Sequence, residues 1–198
     1  MEFLVTMTTH VPEGTPKETI DDVRDREAVH SRELAAQGHL LRLWRPPLKP
    51  GEWRSLGLFA AEDHDHLEEV LASMPLRVWR TDEVTPLSPH SNDPAHMSIG
   101  AAPEFLIYFT ISIPDGTPDQ AVDEAQAHEA ARTRVLAEQG HLERLWVLPG
   151  YRRALGLWRA ADDGEMGAII KSLPLDSWMT TKTTQLTPHP SDPLVTGQ

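Results

Sequence analysis

Residues 2–45 of this chain recur at 104–147: at an offset of 102, 21 of the 44 aligned positions are identical. The longest shared block is Gln37-Gly38-His39-Leu40 with Gln139-Gly140-His141-Leu142, continued by Arg42-Leu43-Trp44 with Arg144-Leu145-Trp146. Beyond it the offset drops to 99, because the first copy carries three extra residues around Pro46–Glu52. Matching then resumes at Leu56-Gly57-Leu58 on Leu155-Gly156-Leu157 and runs on to Pro89-His90 on Pro188-His189. A length change confined to a Pro/Gly-rich stretch marks a surface hairpin. The chain must therefore fold as two like domains: a first copy at 1–90, a linker at 91–102, a second copy at 103–190 and a tail at 191–198.

Each copy presents the same order of signals. EFLVTMTTHV and EFLIYFTISI are β-branched and aromatic runs that predict a first strand. Pro-Glu-Gly-Thr-Pro and Pro-Asp-Gly-Thr-Pro turns follow and lead into helices over about 16–37 and 118–139, closed by Gly38 and Gly140. HLLRLWR and HLERLWV predict second strands, with hairpins to third strands at RSLGLFA and RALGLWR. Short helices over about 63–73 and 162–172 precede fourth strands beginning near Val78 and Trp178. The order β-α-β-β-α-β is ferredoxin-like, an α+β fold. Such a sheet carries both helices on one face, so the other face needs a partner. Two tandem copies predict an intramolecular pseudo-dimer, a dimeric α/β barrel made from one chain.

Composition removes several function classes. A net charge of −12 argues against a nucleic-acid partner, which selects a basic face. No cysteine is present, which excludes disulfides and thiolate chemistry. MEFLVTMTTH has no basic n-region and reads as a strand, not a signal peptide, and no apolar run reaches membrane-spanning length. A cytoplasmic protein with no membrane partner is expected. His64 and His66 lie at a helix start, but their counterparts are Asp163 and Glu165, so no metal site is predicted.

The candidate chemistry falls on the first helix and second strand of each copy. Ile20, Val23, Glu27 and Leu34 follow the spacing of one helix face, as do Val122, Ala125, Glu129 and Leu136. A carboxylate on an apolar stripe is unfavourable unless it is paired or used. Burial would raise its pKa and make it a base suited to neutral pH. The plainer alternative is a glutamate at the border of the stripe bonded to a nearby Arg or His. On the second strand, simple alternation sets Leu40, Arg42 and Trp44 on one side and His39 and Leu41 on the other. An Arg beside a Trp suits an anionic planar ligand, or else packs in the sheet interface against a carboxylate.

Arg26-Glu27-Ala28, Glu33-Leu34, Gln37-Gly38-His39 and Leu43-Trp44-Arg45, with Pro75-Leu76, Glu83-Val84-Thr85-Pro86-Leu87 and Pro89-His90, resemble muconolactone δ-isomerase. The resemblance runs through nearly all of the first copy and, less completely, the second. It implies small ferredoxin-like subunits that pair and assemble into larger homo-oligomers, and no cofactor. It also implies a 1,3 proton shift on a small lactone or hydrophobic acid. Under it Glu27 and Glu129 are the candidate bases, and Arg42, Arg144 or Arg45 would hold a substrate carboxylate, beside His39, Trp44, His141 and Trp146. The copies diverge at Arg45, which becomes Val147, and at Val84-Thr85-Pro86, which becomes Thr183-Thr184-Gln185. His39 and His141 stand where many members have Lys, and Gly57 and Gly156 replace a polar residue. If one copy kept catalysis, these changes favour the first. Two other readings compete: a cyclase or cofactor-free oxygenase with a larger pocket lined by Trp44, Trp53, Trp79 and Trp146, and a non-catalytic ligand-binding module.

Overall fold

The computed structural model describes residues 1–98 and 100–196. In the first repeat β1 (Glu2–Thr9), α1 (Lys17–Ala36), β2 (Leu40–Arg45), β3 (Arg54–Ala60), α2 (His64–Ser73) and β4 (Arg80–Pro89) follow one another. The second repeat gives β5 (Glu104–Ile111), α3 (Asp119–Glu138), β6 (Leu142–Val147), β7 (Arg153–Arg159), α4 (Asp163–Lys171) and β8 (Met179–Pro188). A short α5 (Pro193–Thr196) closes the chain. Each repeat is a β-α-β-β-α-β unit of antiparallel strands, as its sequence predicts, in the orders β4-β1-β3-β2 and β8-β5-β7-β6.

Helix boundaries follow local chemistry. Gly38 and Gly140 end α1 and α3 at φ +79° and +78°, a left-handed turn that a side chain resists. Asp63 and Asp162 cap α2 and α4 by accepting from the backbone N–H of His66 and Glu165. The fourth strands begin later than the sequence suggests. Pro75–Trp79 and Asp176–Trp178 are 3-10 turns, the first with proline at its start.

The core of the first repeat joins Phe3, Val5 and Met7 of β1 to Leu34 of α1 and Leu67, Val70 and Leu71 of α2. Phe105, Ile107 and Phe109 meet Leu136, Met166 and Ile169 in the second. Here one sequence expectation fails. The β2–β3 register shifts between Leu40 and Arg42, and β6–β7 shifts between Leu142 and Arg144. A bulge inserts one residue, so Leu40 and Leu43 both join the helix-side core and Arg42 and Trp44 take the other face. Leu40 therefore does not share a side with Arg42 and Trp44.

The chain divides into two compact units, one of residues 1–87 with the segment from Thr187 onward, the other of Ser88–Leu186. In the first unit Thr187 and Pro188 pair with Arg45 and Trp44. In the second, Ser88 and Pro89 pair with Val147 and Trp146. Each repeat thus ends by supplying a short arm to the unit built on the other repeat. Within the second unit, Arg159 donates to the carbonyls of Ser98, Gly100 and Ala102, in the stretch expected as a linker. Among the described residues no helix is long and apolar enough to cross a membrane.

Candidate functional site

The arms are clamped by the arginines of the second strands. Arg42 donates from Nε and Nη2 to Asp192 at 3.0–3.2 Å, and the backbone N–H of Leu43 donates to the same carboxylate at 3.1 Å. Both side chains are buried, at 2% and 0% exposure. Arg144 holds Asp93 in the same way at 3.2 Å, with Leu145 N–H at 2.8 Å. Each guanidinium also stacks on the neighbouring indole: Arg42 on Trp44 at 4.7 Å and Arg144 on Trp146 at 4.8 Å. The buried Arg–Trp pairs expected to bind substrate thus have their charge matched by Asp192 and Asp93.

What the clamp positions is a histidine. In both arms the sequence is Pro-His-x-x-Asp-Pro, at 89–94 and 188–193. The His189 N–H donates to the Leu43 carbonyl, and Asp192 N–H closes a turn onto the His189 carbonyl. Ser191 N–H donates to His189 Nδ1 at 3.1 Å, which favours the neutral tautomer with its proton on Nε2, and Arg45 Nη2 lies 3.4 Å from that nitrogen. His90 is built identically, with Asn92 N–H donating to its Nδ1 and its own N–H donating to the Leu145 carbonyl. Both histidines belong to repeated Pro-His pairs in the sequence but were assigned no role there, although the shared His-x-x-Asp-Pro spacing marks both.

His189 lines a cavity of about 540 Å³ in the first unit, with Glu27, Arg24, Arg45, Trp53 and Arg80 among the other wall residues. Glu27 reaches it from α1, its side chain 12% exposed. Its Oε2 accepts from the backbone N–H of Leu76 at 2.8 Å, in the 3-10 turn, and its Oε1 from Arg80 at 3.3 Å. Burial is the largest influence and lifts its pKa above the ordinary carboxylate value, against the Leu76 N–H, Arg80 and His30, while Asp82 adds to the rise. Arg80 is buried and also paired with Asp82 at 2.6 Å, so it tunes Glu27 and is not open for ligand. Arg24, over the Trp53 ring at 5.2 Å, and Arg45 are exposed cations of the wall. Burial first, then Arg45 and Arg24, push the His189 pKa down to about 4, so this imidazole is neutral at neutral pH.

That depression has a stability consequence. Between the unfolded value near 6.5 and about 4, the unfolded chain binds a proton that folded His189 does not. Its contribution to stability is intact above about pH 6.5 and is lost as pH falls toward 4. His189→Gln is expected to flatten the pH dependence of urea stability across that window; an unaltered slope would assign it to other groups.

The second unit holds the counterpart, a cavity of about 340 Å³ with Glu129 and His90 in its wall. Glu129 accepts from Leu175 N–H at 3.0 Å, and burial again raises its pKa against that hydrogen bond. The cations are gone: Arg24, Arg45 and Arg80 correspond to Gln126, Val147 and Met179. The remaining sequence candidates lie outside both cavities. His39 and His141 donate Nδ1–H to the carbonyls of Ala60 and Arg159, tying β2 to β3 and β6 to β7. Of Trp44, Trp53, Trp79 and Trp146, only Trp53 stands in the wall around Glu27. Among the described residues no group of three or more His, Asp or Glu is placed to hold a metal ion.

Comparison with known proteins gives this architecture a family. The sequence profile of muconolactone delta-isomerase matches twice, over residues 1–93 and 104–192. The muconolactone Delta-isomerase of Cupriavidus pinatubonensis is 31% identical over 90 residues, 46% of this chain and 95% of the relative. Muconolactone Delta-isomerase 1 of Acinetobacter lwoffii is 32% identical over 90 residues, 46% of this chain and 91% of that one. In fold, the chain resembles chlorite dismutase from Candidatus Nitrospira defluvii, with TM-score 0.60 and 9% identity over 94% of this chain and 91% of that one. A heme-binding protein from Thermus thermophilus gives TM-score 0.57 and 12% identity over 94% and 92%. At such identities the likeness is one of fold. The two profile matches, each spanning a complete β-α-β-β-α-β repeat, establish that the chain belongs to the muconolactone delta-isomerase family and carries its domain twice.

Proposed function

We propose that the cavity of the first unit is the site of a cofactor-independent isomerase that moves a double bond in a small lactone bearing a carboxylate. The observation that carries this reading is one buried carboxylate of raised pKa, Glu27, sharing a wall with two exposed guanidiniums, Arg24 and Arg45, and a neutral histidine. Arg24 and Arg45 hold the substrate carboxylate. Glu27 removes a proton from the carbon conjugated through the double bond to the lactone carbonyl. The C–H electrons pass into the conjugated system, and negative charge gathers on the carbonyl oxygen as a dienolate. Arg45 turns from His189 Nε2 to the substrate carboxylate, and the neutral His189 donates from Nε2–H to the dienolate oxygen. Glu27 then returns the proton two carbons away, so substrate and product have the same atoms and no oxidant is needed. Glu129 has the same backbone contact, but its cavity lacks the cations that would hold an acid; it is the counterpart base by position, and the first cavity carries the reaction on acids.

The test is isomerisation of muconolactone in D2O. Double-bond migration with deuterium entering at the new C–H position is expected. Arg45→Ala should raise KM about tenfold with kcat within about twofold, because it removes binding common to ground and transition states. Neither isomerisation nor solvent exchange with muconolactone and related enolisable lactone acids would remove the proposal.

A further inference from the structure

The second cavity has a different chemistry from the first. Its wall contains no Lys, Arg or Asp, and its two titratable groups, Glu129 and His90, are each shifted by burial toward the uncharged form. It also contains a donor with nothing to bond. Trp158 is 1% exposed, and its indole Nε1–H has no hydrogen-bond partner among the described residues. A buried, unmatched donor is unfavourable and calls for an explanation. The fold does not supply one, since the equivalent residue in the first repeat is Phe59, fully buried with no N–H. Gly156 stands two residues back on the same face of β7, and a Cβ there would lie 2.1 Å from the indole nitrogen. Trp158 and Ala154, on the same face of β7, both line the cavity.

We propose that the cavity of the second unit is a separate binding site for an uncharged, carbonyl-bearing small molecule, such as a neutral butenolide or ester, whose oxygen accepts from the Trp158 indole N–H. Its volume, about 340 Å³, lies within the range of small-molecule pockets, roughly 300–1,000 Å³. Phe109, Ile111, Leu145 and Leu173 supply apolar contact. A carboxylate-bearing ligand would be stripped of water there with no cation to replace it, and is disfavoured. The site stands whether or not the first cavity is catalytic.

Each cavity has an indole reporter, Trp53 in the first and Trp158 in the second. In the 15N-labelled full chain, 5-methyl-2(5H)-furanone, an uncharged lactone, should move the Trp158 indole resonance saturably, with the peak assigned by its loss in Trp158→Phe. Muconolactone, which carries a carboxylate, should move Trp53 and leave Trp158 in place. By calorimetry, Trp158→Phe should weaken furanone binding roughly five- to tenfold, the effect of one hydrogen bond, and Arg24→Ala should leave it unchanged. A Trp158 resonance that stays still or never saturates would overturn the proposal. So would a muconolactone anion that competes for Trp158, or a furanone that moves both indoles with equal affinity.

Discussion

Asp192→Asn is expected to lower stability by about 3–5 kcal/mol in urea denaturation, the largest effect on folding of any change in an arm. The substitution is nearly isosteric and leaves an oxygen for the Leu43 N–H. It removes the charge that faces Arg42, whose side chain is 2% exposed and has no route to water. A buried guanidinium that loses this counter-charge recovers less of its desolvation penalty. Asp93→Asn should be milder, because the Arg144–Asp93 pair is 8% and 5% exposed. Replacing both partners, Arg42→Met with Asp192→Leu, should recover much of the loss, since no lone charge then remains buried. Activity should not recover with it. The clamp sets the His189 turn, so the double variant is expected to fold and still turn over poorly. Equal recovery of stability and turnover would show that the clamp holds the fold alone.

Glu27→Gln is expected to lower kcat by about 100- to 10,000-fold, the range for loss of a positioned general base. The amide oxygen can still accept from Leu76 N–H, so the link between α1 and the 3-10 turn persists. Stability should hold or rise. Burial raises the folded pKa of Glu27 above its unfolded value, so the folded state binds the proton more tightly, and the stability this group confers is lost as pH rises from about 4.5 through the folded value. Burial disfavours the ionised carboxylate, a strain that glutamine relieves. Lost turnover with retained or increased stability is the mark of a group kept for chemistry. In the native protein, kcat/KM should rise with pH as Glu27 ionises, with its midpoint above the ordinary carboxylate value. A variant that unfolds, or one that keeps its turnover, would assign Glu27 a purely structural role.

The β-α-β-β-α-β repeats and half of the candidate site were legible in the sequence, for physical reasons that differ. The repeat, the strand and helix order and the Gly38 and Gly140 stops rest on local periodicity and backbone chemistry. Glu27 and Glu129 stood out because a carboxylate interrupts an apolar stripe. Arg42 and Trp44 were misplaced because a six-residue strand gives too few alternations to betray a bulge, and one inserted residue reverses which face they share with Leu40. Arg80 was invisible because the 3-10 turn fixes where β4 begins, and its counterpart, Met179, gives no repeated signal. His189 was hidden by distance along the chain: it lies 162 residues from Glu27 and reaches that cavity because the arm of one repeat belongs to the unit of the other. Its signal is Pro-His-x-x-Asp-Pro, present in both copies.

Duplication gave this chain two carboxylates in equivalent surroundings, and divergence left cations beside only one of them. Side-by-side kcat/KM for muconolactone isomerisation by Glu27→Gln and Glu129→Gln tests that inequality most directly. The account predicts a loss of about 100- to 10,000-fold for Glu27→Gln and a value near wild type for Glu129→Gln. Equal losses in the two variants, or a loss confined to Glu129→Gln, would contradict it.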